Sequence, residues 1–412
     1  MILKCRSCQG ENIGNIMSFG FTPLANAYLT SEQRYETEER YPLDLVFCKD
    51  CALVQIVETV NPKHLFRNYF YTSSVSETVL ENAKTIALQM IHLKNLGKES
   101  TVVEIGSNDG YLLKNYAEQD IPSIGVDPAK NLTPISKGLI PERICEFFGR
   151  ETALKMQKRG IRADVIHANN VLAHVADLHG VVEGIYHLLK PDGVAVVETH
   201  YVKDMMEGCE FDCVYHEHLC YYSGMSLKNL FELHGMKLVG IERIPIHGGS
   251  LRAMFQSADG PCSLRLKNED TVTWFLNQES HLAHYSYYEK LAERAQKLKN
   301  ELKDLLWKLK IDRKKIAMYG APAKSATFMH FMGIGRNLID YVVDNTPLKQ
   351  GHYTPGTHLE IVAPNSKPVP DVYLLASWNF MDEILAKEQD FLKAGGKFIV
   401  PIPELRIIDG TH

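Results

Sequence analysis

A chain of 412 residues is too long for one hydrophobic core, so two or three domains are expected. Its 45% apolar content suits a globular protein, no apolar run approaches the roughly 18 residues of a membrane span, and Met1-Ile2-Leu3-Lys4-Cys5 lacks a signal peptide's apolar core, so a cytoplasmic protein without a membrane partner is expected. A net charge of −5 with no long basic run weighs against nucleic acid as the main partner, and nine cysteines, an odd number, do not read as a secreted disulfide framework.

The first 75 residues carry two cysteine pairs, Cys5-x-x-Cys8 and Cys48-x-x-Cys51. Each pair offers two thiolates through a tight knuckle turn, and four sulfurs suit a closed tetrahedral Zn²⁺ site. A redox C-x-x-C is the alternative, weakened because two matched pairs favour a metal. The alternation over residues 40–47 predicts a strand leading into the second knuckle. Cys145, Cys209, Cys213, Cys220 and Cys262 are scattered and read as small apolar residues. After the second knuckle, Tyr69, Phe70 and Tyr71 stand beside Thr72, Ser73 and Ser74, where interdomain packing and chemistry are both open readings.

Residues 76–258 begin with an amphipathic pattern over 77–96, with Ser76 as a candidate N-cap. Val102-Val103-Glu104-Ile105 then stops at Gly106-Ser107-Asn108-Asp109-Gly110, and a helical pattern follows. Strand, glycine turn and helix open a doubly wound α/β sheet. The second strand, 123–126, ends at Asp127, placed to accept ribose hydroxyls. The loop is not G-x-G-x-x-G, and its acid makes a poor seat for phosphate. It resembles the glycine loop of class I S-adenosylmethionine (SAM) methyltransferases, whose ligand carries both a ribose and a cation. Phe147 and Phe148 are candidates to flank adenine, and the strand 164–170 brings Asn169 and Asn170 to the same rim. Strands at 194–198, 236–244 and 250–257 follow, the last two as a hairpin.

Two loops on that rim are dense in chemistry. Tyr215-His216-Glu217-His218-Leu219-Cys220-Tyr221-Tyr222 holds groups that move protons near neutral pH. It is not H-E-x-x-H, although an H-x-H metal site stays open. His247-Gly248-Gly249-Ser250 joins two strands, with paired glycines that let backbone N–H groups approach a ligand.

Residues 259–412 start with one or two long amphipathic helices over 270–309. A second strand–glycine loop–helix follows: a strand at 315–319, then Gly320-Ala321-Pro322-Ala323-Lys324. A lysine with free N–H groups at a helix start suits a diphosphate. Further strands at 338–343, 371–376 and 397–400 give a second, smaller Rossmann-like domain. The turn-rich 349–356 loop, with His352 and Tyr353, is placed to close over a nucleotide.

These marks run in order along almost the whole chain. Together they resemble the sugar 3-C-methyltransferases that act on nucleotide-linked 4-keto-6-deoxy sugars. The resemblance implies a zinc-binding domain (1–75), a SAM-binding domain (76–258) and a helical connector with a nucleotide-sugar-binding domain (259–412), with a monomer favoured. It implies Zn²⁺ as a structural ion on Cys5, Cys8, Cys48 and Cys51. SAM falls to Glu104, Gly106, Asn108, Asp109, Gly110, Asp127, Phe148, Asn169, Asn170 and His174. His218 matches the base, with Glu217 orienting it and Tyr71 and Tyr215 contacting the oxyanion or a sugar hydroxyl. Tyr222, His247, Gly248, Gly249, Ser250, Gly320, Ala321, Lys324, His352 and Tyr353 are the implied sugar-nucleotide contacts, thymidine diphosphate being the implied carrier. An O- or N-methyltransferase, or a zinc- and SAM-binding module without catalysis, are the alternatives.

Overall fold

The computed structural model describes residues 3–66, 72–136, 138–261, 264 and 270–410. At the amino end, β1 (Ile13–Thr22), β2 (Tyr41–Cys48) and β3 (Val54–Ile56) form an antiparallel meander. Leu43, Leu45 and Phe47 alternate along β2 at 0% exposure, as a one-face-buried strand requires. The two cysteine pairs sit at the same end of this sheet, because Ile13 pairs with Cys48.

The second layer is built from β4 (Val102–Ile105), β5 (Ser123–Val126), β6 (Glu142–Ile144), β7 (Ala163–Asn169), β8 (Leu189–His200), β9 (Cys220–Tyr221), β10 (Met236–Ile244) and β11 (Ser250–Ser257). All but β9 form one sheet in the order β10-β11-β8-β7-β4-β5-β6, parallel except for β11, which runs antiparallel to both neighbours. Parallel strands are covered on both faces, so Val102, Val103 and Ile105 are all buried, with Glu104 the one polar member of β4. Helix Glu77–Lys94 covers one face; the Ser76 hydroxyl accepts from Val79 N–H at its start, and Asn95 closes it in the left-handed conformation. Strand order reverses between β4 and β7, which opens a ligand crevice at their carboxyl ends. β9 instead pairs with β3, so the amino-terminal sheet is completed by residues from the middle of the chain.

The third layer uses β12 (Ile316–Tyr319), β13 (Val342–Val343), β14 (Ile361–Val362), β15 (Val372–Leu375), β16 (Lys397–Val400) and β17 (Arg406–Ile408), ordered β14-β13-β12-β15-β16-β17 with only β17 antiparallel. The connector is two helices, Asp270–Gln278 and Lys290–Ile311, separated by short 3₁₀ turns. Leu291, Ala295, Leu298, Leu302 and Leu306 form the single buried stripe of the longer one. One apolar core runs through all three layers; Phe47 of β2, for example, stacks on Tyr288 at 4.6 Å between centroids. Among the described residues no helix is long and apolar enough to cross a membrane.

Candidate active site

The four thiols converge. Cys5 and Cys51 sulfurs are 3.5 Å apart, as are Cys8 and Cys48, and all four lie within 4.8 Å of one another. Zinc at about 2.3 Å from each sulfur needs sulfurs about 3.8 Å apart, so the quartet fits a closed tetrahedral site. Matching turns build it: Gln9 N–H returns to Cys5 O and Ala52 N–H to Cys48 O, with Gln9 and Ala52 both at φ 61°. Hydrogen bonds among the four thiols pull the Cys5 thiol down and push the Cys51 thiol up, so the quartet readily shares a thiolate, the form that binds a metal.

The crevice after β4 is lined with acids. Gly106 (φ 69°) and Gly110 (φ 92°) bracket the loop, and a Cβ on Gly106 would stand 2.6 Å from the Val171 side chain. Asp127 clamps the loop: its carboxylate accepts from Asn108 N–H and Ala129 N–H at 2.8 Å each and pairs with Arg143 at 3.2 Å. Asn108 and Asp109 carry the next segment on their side chains, accepting from Ser73 N–H and Ser74 N–H at 3.1 Å. Glu104 is fully buried, neither oxygen has a hydrogen-bond partner, and burial beside Asp127 and Asp109 pushes its pKa well up. Asp109 Oδ1 and Asn169 Oδ1 are also buried and unsatisfied. Buried orphan acceptors around a glycine loop call for a cationic, hydrogen-bonding ligand.

A short turn at Leu172–His174 links this crevice to the tyrosine–histidine loop. Val171 covers Gly106, and Ala173 O accepts from Leu219 N–H at 2.6 Å. The His174 and His218 rings meet edge to face at 4.8 Å. His218 Nδ1 lies 3.0 Å from Cys213 O, so it carries the proton and donates; Nε2 is then the acceptor for the Tyr215 hydroxyl at 2.7 Å. Burial, reinforced by His174 and His200, holds the His218 pKa well below that of a free imidazole. The pair is a neutral base with a phenol on its lone pair.

The third wall comes from the carboxy-terminal layer. Trp378 Nε1 donates to Asp212 Oδ2 at 2.8 Å, while the Lys324 ammonium lies 3.6 Å above the Trp378 ring and donates to Asn379 Oδ1 at 2.5 Å. Burial lifts the Asp212 carboxyl to about 6 against the pull of Lys324. Gly248 sits where a Cβ would meet Glu210 at 2.8 Å and Trp378 at 3.0 Å, and Glu210 holds His200 Nε2 at 2.9 Å. His247, buried near His200 and Lys324, has its pKa lowered to about 4, chiefly by burial.

Three family profiles tile the chain: a zinc binding domain at 5–66, a methyltransferase domain at 75–240 and a C-methyltransferase C-terminal domain at 245–403. C-methyltransferase NovU of Streptomyces niveus is 33% identical over 409 residues, covering 98% of this chain and 96% of the relative. The chain belongs to the SAM-dependent C-methyltransferases with a zinc-binding amino-terminal domain. Solved structures similar to part of the chain include a SAM-dependent methyltransferase from Clostridium acetobutylicum (8% identity, 43% of this chain, 92% of that one, TM-score 0.34) and 1,6-didemethyltoxoflavin-N1-methyltransferase from Burkholderia thailandensis (16%, 45%, 81%, 0.34).

Several sequence-derived site residues of this methyltransferase hold different partners from those expected. The His218 ring nitrogens bond Tyr215 and Cys213, and the Glu217 carboxylate accepts from Asn26 Nδ2 at 2.7 Å. His216 points to Pro42 O at 3.1 Å, so the H-x-H pair does not converge on a metal. Tyr222 is fully buried, its hydroxyl on Leu172 O at 3.2 Å, where it braces the 172–174 turn. Ser250 donates to Ile246 O within its own loop, and Phe148 lies against Gly184 of helix Leu178–Leu188. Asn170 is left-handed (φ 55°), its N–H on Glu198 O.

In the carboxy-terminal layer, Gly320 abuts Ser377 and Ala321 N–H donates to Asp344 at 2.7 Å. The 349–356 loop is not a free lid: Tyr353 exchanges backbone hydrogen bonds with Leu29, and Gly356 N–H donates to Glu38. Tyr71 and Cys262 lie outside the described residues. Arg143, His200, Glu210, Asp212 and Trp378 were not foreseen. His200 was findable as the rim residue of a strand; the others have no local pattern.

Proposed function

We propose that the chain transfers the SAM methyl group to carbon 3 of a nucleotide-linked 4-keto-6-deoxy sugar by way of an enolate. The observation that carries the reading is the Tyr215–His218 pair, a neutral, half-buried base beside the 172–174 turn next to the glycine loop. A base assists methyl transfer to a hydroxyl as well, but an sp³ carbon has no lone pair and becomes nucleophilic only once its proton has been removed. A ketone next to carbon 3 makes that proton removable. The relative's description as a C-methyltransferase agrees with a carbon acceptor.

His218 Nε2 already accepts the Tyr215 proton, so the carbon-bound proton passes to the Tyr215 oxygen as the phenolic proton passes to Nε2. The products are the enolate, an intact phenol and an imidazolium whose Nδ1–H stays on Cys213 O. Glu104, Asp109, Asp127 and Asn169 would hold SAM, whose sulfonium supplies an electrophilic methyl; the acids favour that cation. Lys324 and the loop at 320–324 would hold the diphosphate. Zinc on the four cysteines is structural in this reading, because the donor set leaves no open position.

Incubating the protein with SAM and a panel of sugar nucleotides tests the proposal. Turnover only with 4-keto sugars, with loss of deuterium from carbon 3, is the expected result. Turnover with deuterium retained there would refute it.

A further inference from the structure

Residues 24–30 leave β1 and cross the molecule as a strap, and the polar contacts of Asn26, Tyr28 and Leu29 land on three different loops. Asn26 Nδ2 donates to Glu217 Oε1 at 2.7 Å. Tyr28 OH donates to Ala321 O at 2.7 Å, in the second glycine loop, and Lys349 lies over its ring while donating to the same carbonyl. Leu29 and Tyr353 exchange backbone hydrogen bonds at 3.0 and 2.8 Å. Glu217 lies inside the tyrosine–histidine loop, only 3% exposed and adjacent in sequence to His218, whose ring meets that of His174 at 4.8 Å. A buried carboxylate held by an amide fixes its own backbone, and here that backbone carries the histidine that faces His174.

We propose that Asn26 is a positioning residue for methyl transfer. Acting through Glu217, it sets the 215–219 segment against the 172–174 turn, so the zinc domain is a working part of the active site and not only a fold anchor. This rests on the Tyr215–His218 reading above. Asn26→Asp puts a second carboxylate within hydrogen-bond range of Glu217, and two buried carboxylates so close cannot both ionise. Adding Glu217→Gln restores the bond with its polarity reversed.

Hydrogen exchange of the 215–219 peptide, measured with zinc content and SAM affinity, reads the positioning without any sugar substrate. Asn26→Asp should speed exchange by about tenfold or more and lower kcat, with zinc and SAM binding unchanged. Asn26→Asp/Glu217→Gln should recover most of the protection and exceed Asn26→Asp in kcat. If Asn26→Asp cannot hold zinc, Asn26→Ala, which removes the donor without adding charge, must show the same two losses. Unchanged exchange, a double variant no better protected than the single, or faster exchange with full turnover would each overturn the proposal. If the wild-type protein fails to turn over any 4-keto sugar, the functional reading falls while the exchange result still decides the positioning.

Discussion

Tyr215→Phe isolates the chemistry of the base from its placement. The ring stays, packed on His218 at 4.1 Å between centroids, and only the hydroxyl that donates to Nε2 at 2.7 Å is removed. His218 keeps its bond to Cys213 O, so the imidazole stays oriented and the residual path is direct abstraction by Nε2. An acceptor left unsatisfied in a buried site costs about 1–3 kcal/mol, so the variant folds with a modestly lower melting temperature. The rate effect is larger. A positioned general base contributes about 10²–10⁴-fold, and because the imidazole survives, the lower end applies: about a hundredfold in kcat, or about 3 kcal/mol. The assay is wash-in of solvent deuterium at carbon 3 with S-adenosylhomocysteine in place of SAM, run beside full turnover. Both rates should fall together. Wash-in and turnover within threefold of wild type would refute the relay, and His218→Ala would then have to account for all of the proton removal.

Because burial lowers the His218 pKa, the imidazole is neutral and competent well below its ordinary value of about 6.5. The kcat profile should therefore show no half-point near 6.5 as pH falls; any limb near 6 should vanish in Asp212→Asn, whose carboxyl burial lifts to about 6. A half-point at 6.5 that survives Asp212→Asn contradicts the neutral base. Cys5→Ser should lose zinc and melting temperature together, since a closed metal site contributes folding free energy; full zinc occupancy by metal analysis contradicts the four-sulfur site. Gly249→Ala would place a Cβ 2.0 Å from Asp204 Oδ2 at φ 140°, so the loop must shift away from Asp204, which also pairs with Arg243. Turnover should fall by about tenfold or more with SAM affinity retained, as kinetics and calorimetry will show.

The parts legible in the sequence are those where burial writes a pattern. β4 and β5 are covered on both faces and read as short, mostly apolar runs stopped by a glycine turn and an acid, and the acids at the ends of β5 and β13 close glycine loops by the same two backbone bonds: Asp127 to 108 and 129, Asp344 to 321 and 346. β6 was missed because it is a three-residue edge strand, Glu-Arg-Ile, only half buried, and Arg143 was missed with it. β9 has two residues and serves a sheet whose other strands lie more than 160 positions earlier, so no local signal marks it. Lys324 is legible from its glycine loop, but its neighbours Glu210, Asp212 and Trp378 escape for the same reason: that wall is a product of tertiary packing, as is the pairing of Glu217 with Asn26.

Carbon methylation through a proton-abstracting tyrosine–histidine pair is most directly tested with SAM carrying a ¹³C methyl group and a thymidine diphosphate 4-keto-6-deoxy sugar deuterated at carbon 3. The expected product spectrum shows a methyl carbon bonded to carbon, with the deuterium gone to solvent. A methyl signal at the shift of an ether, or a product that keeps the label, would contradict it.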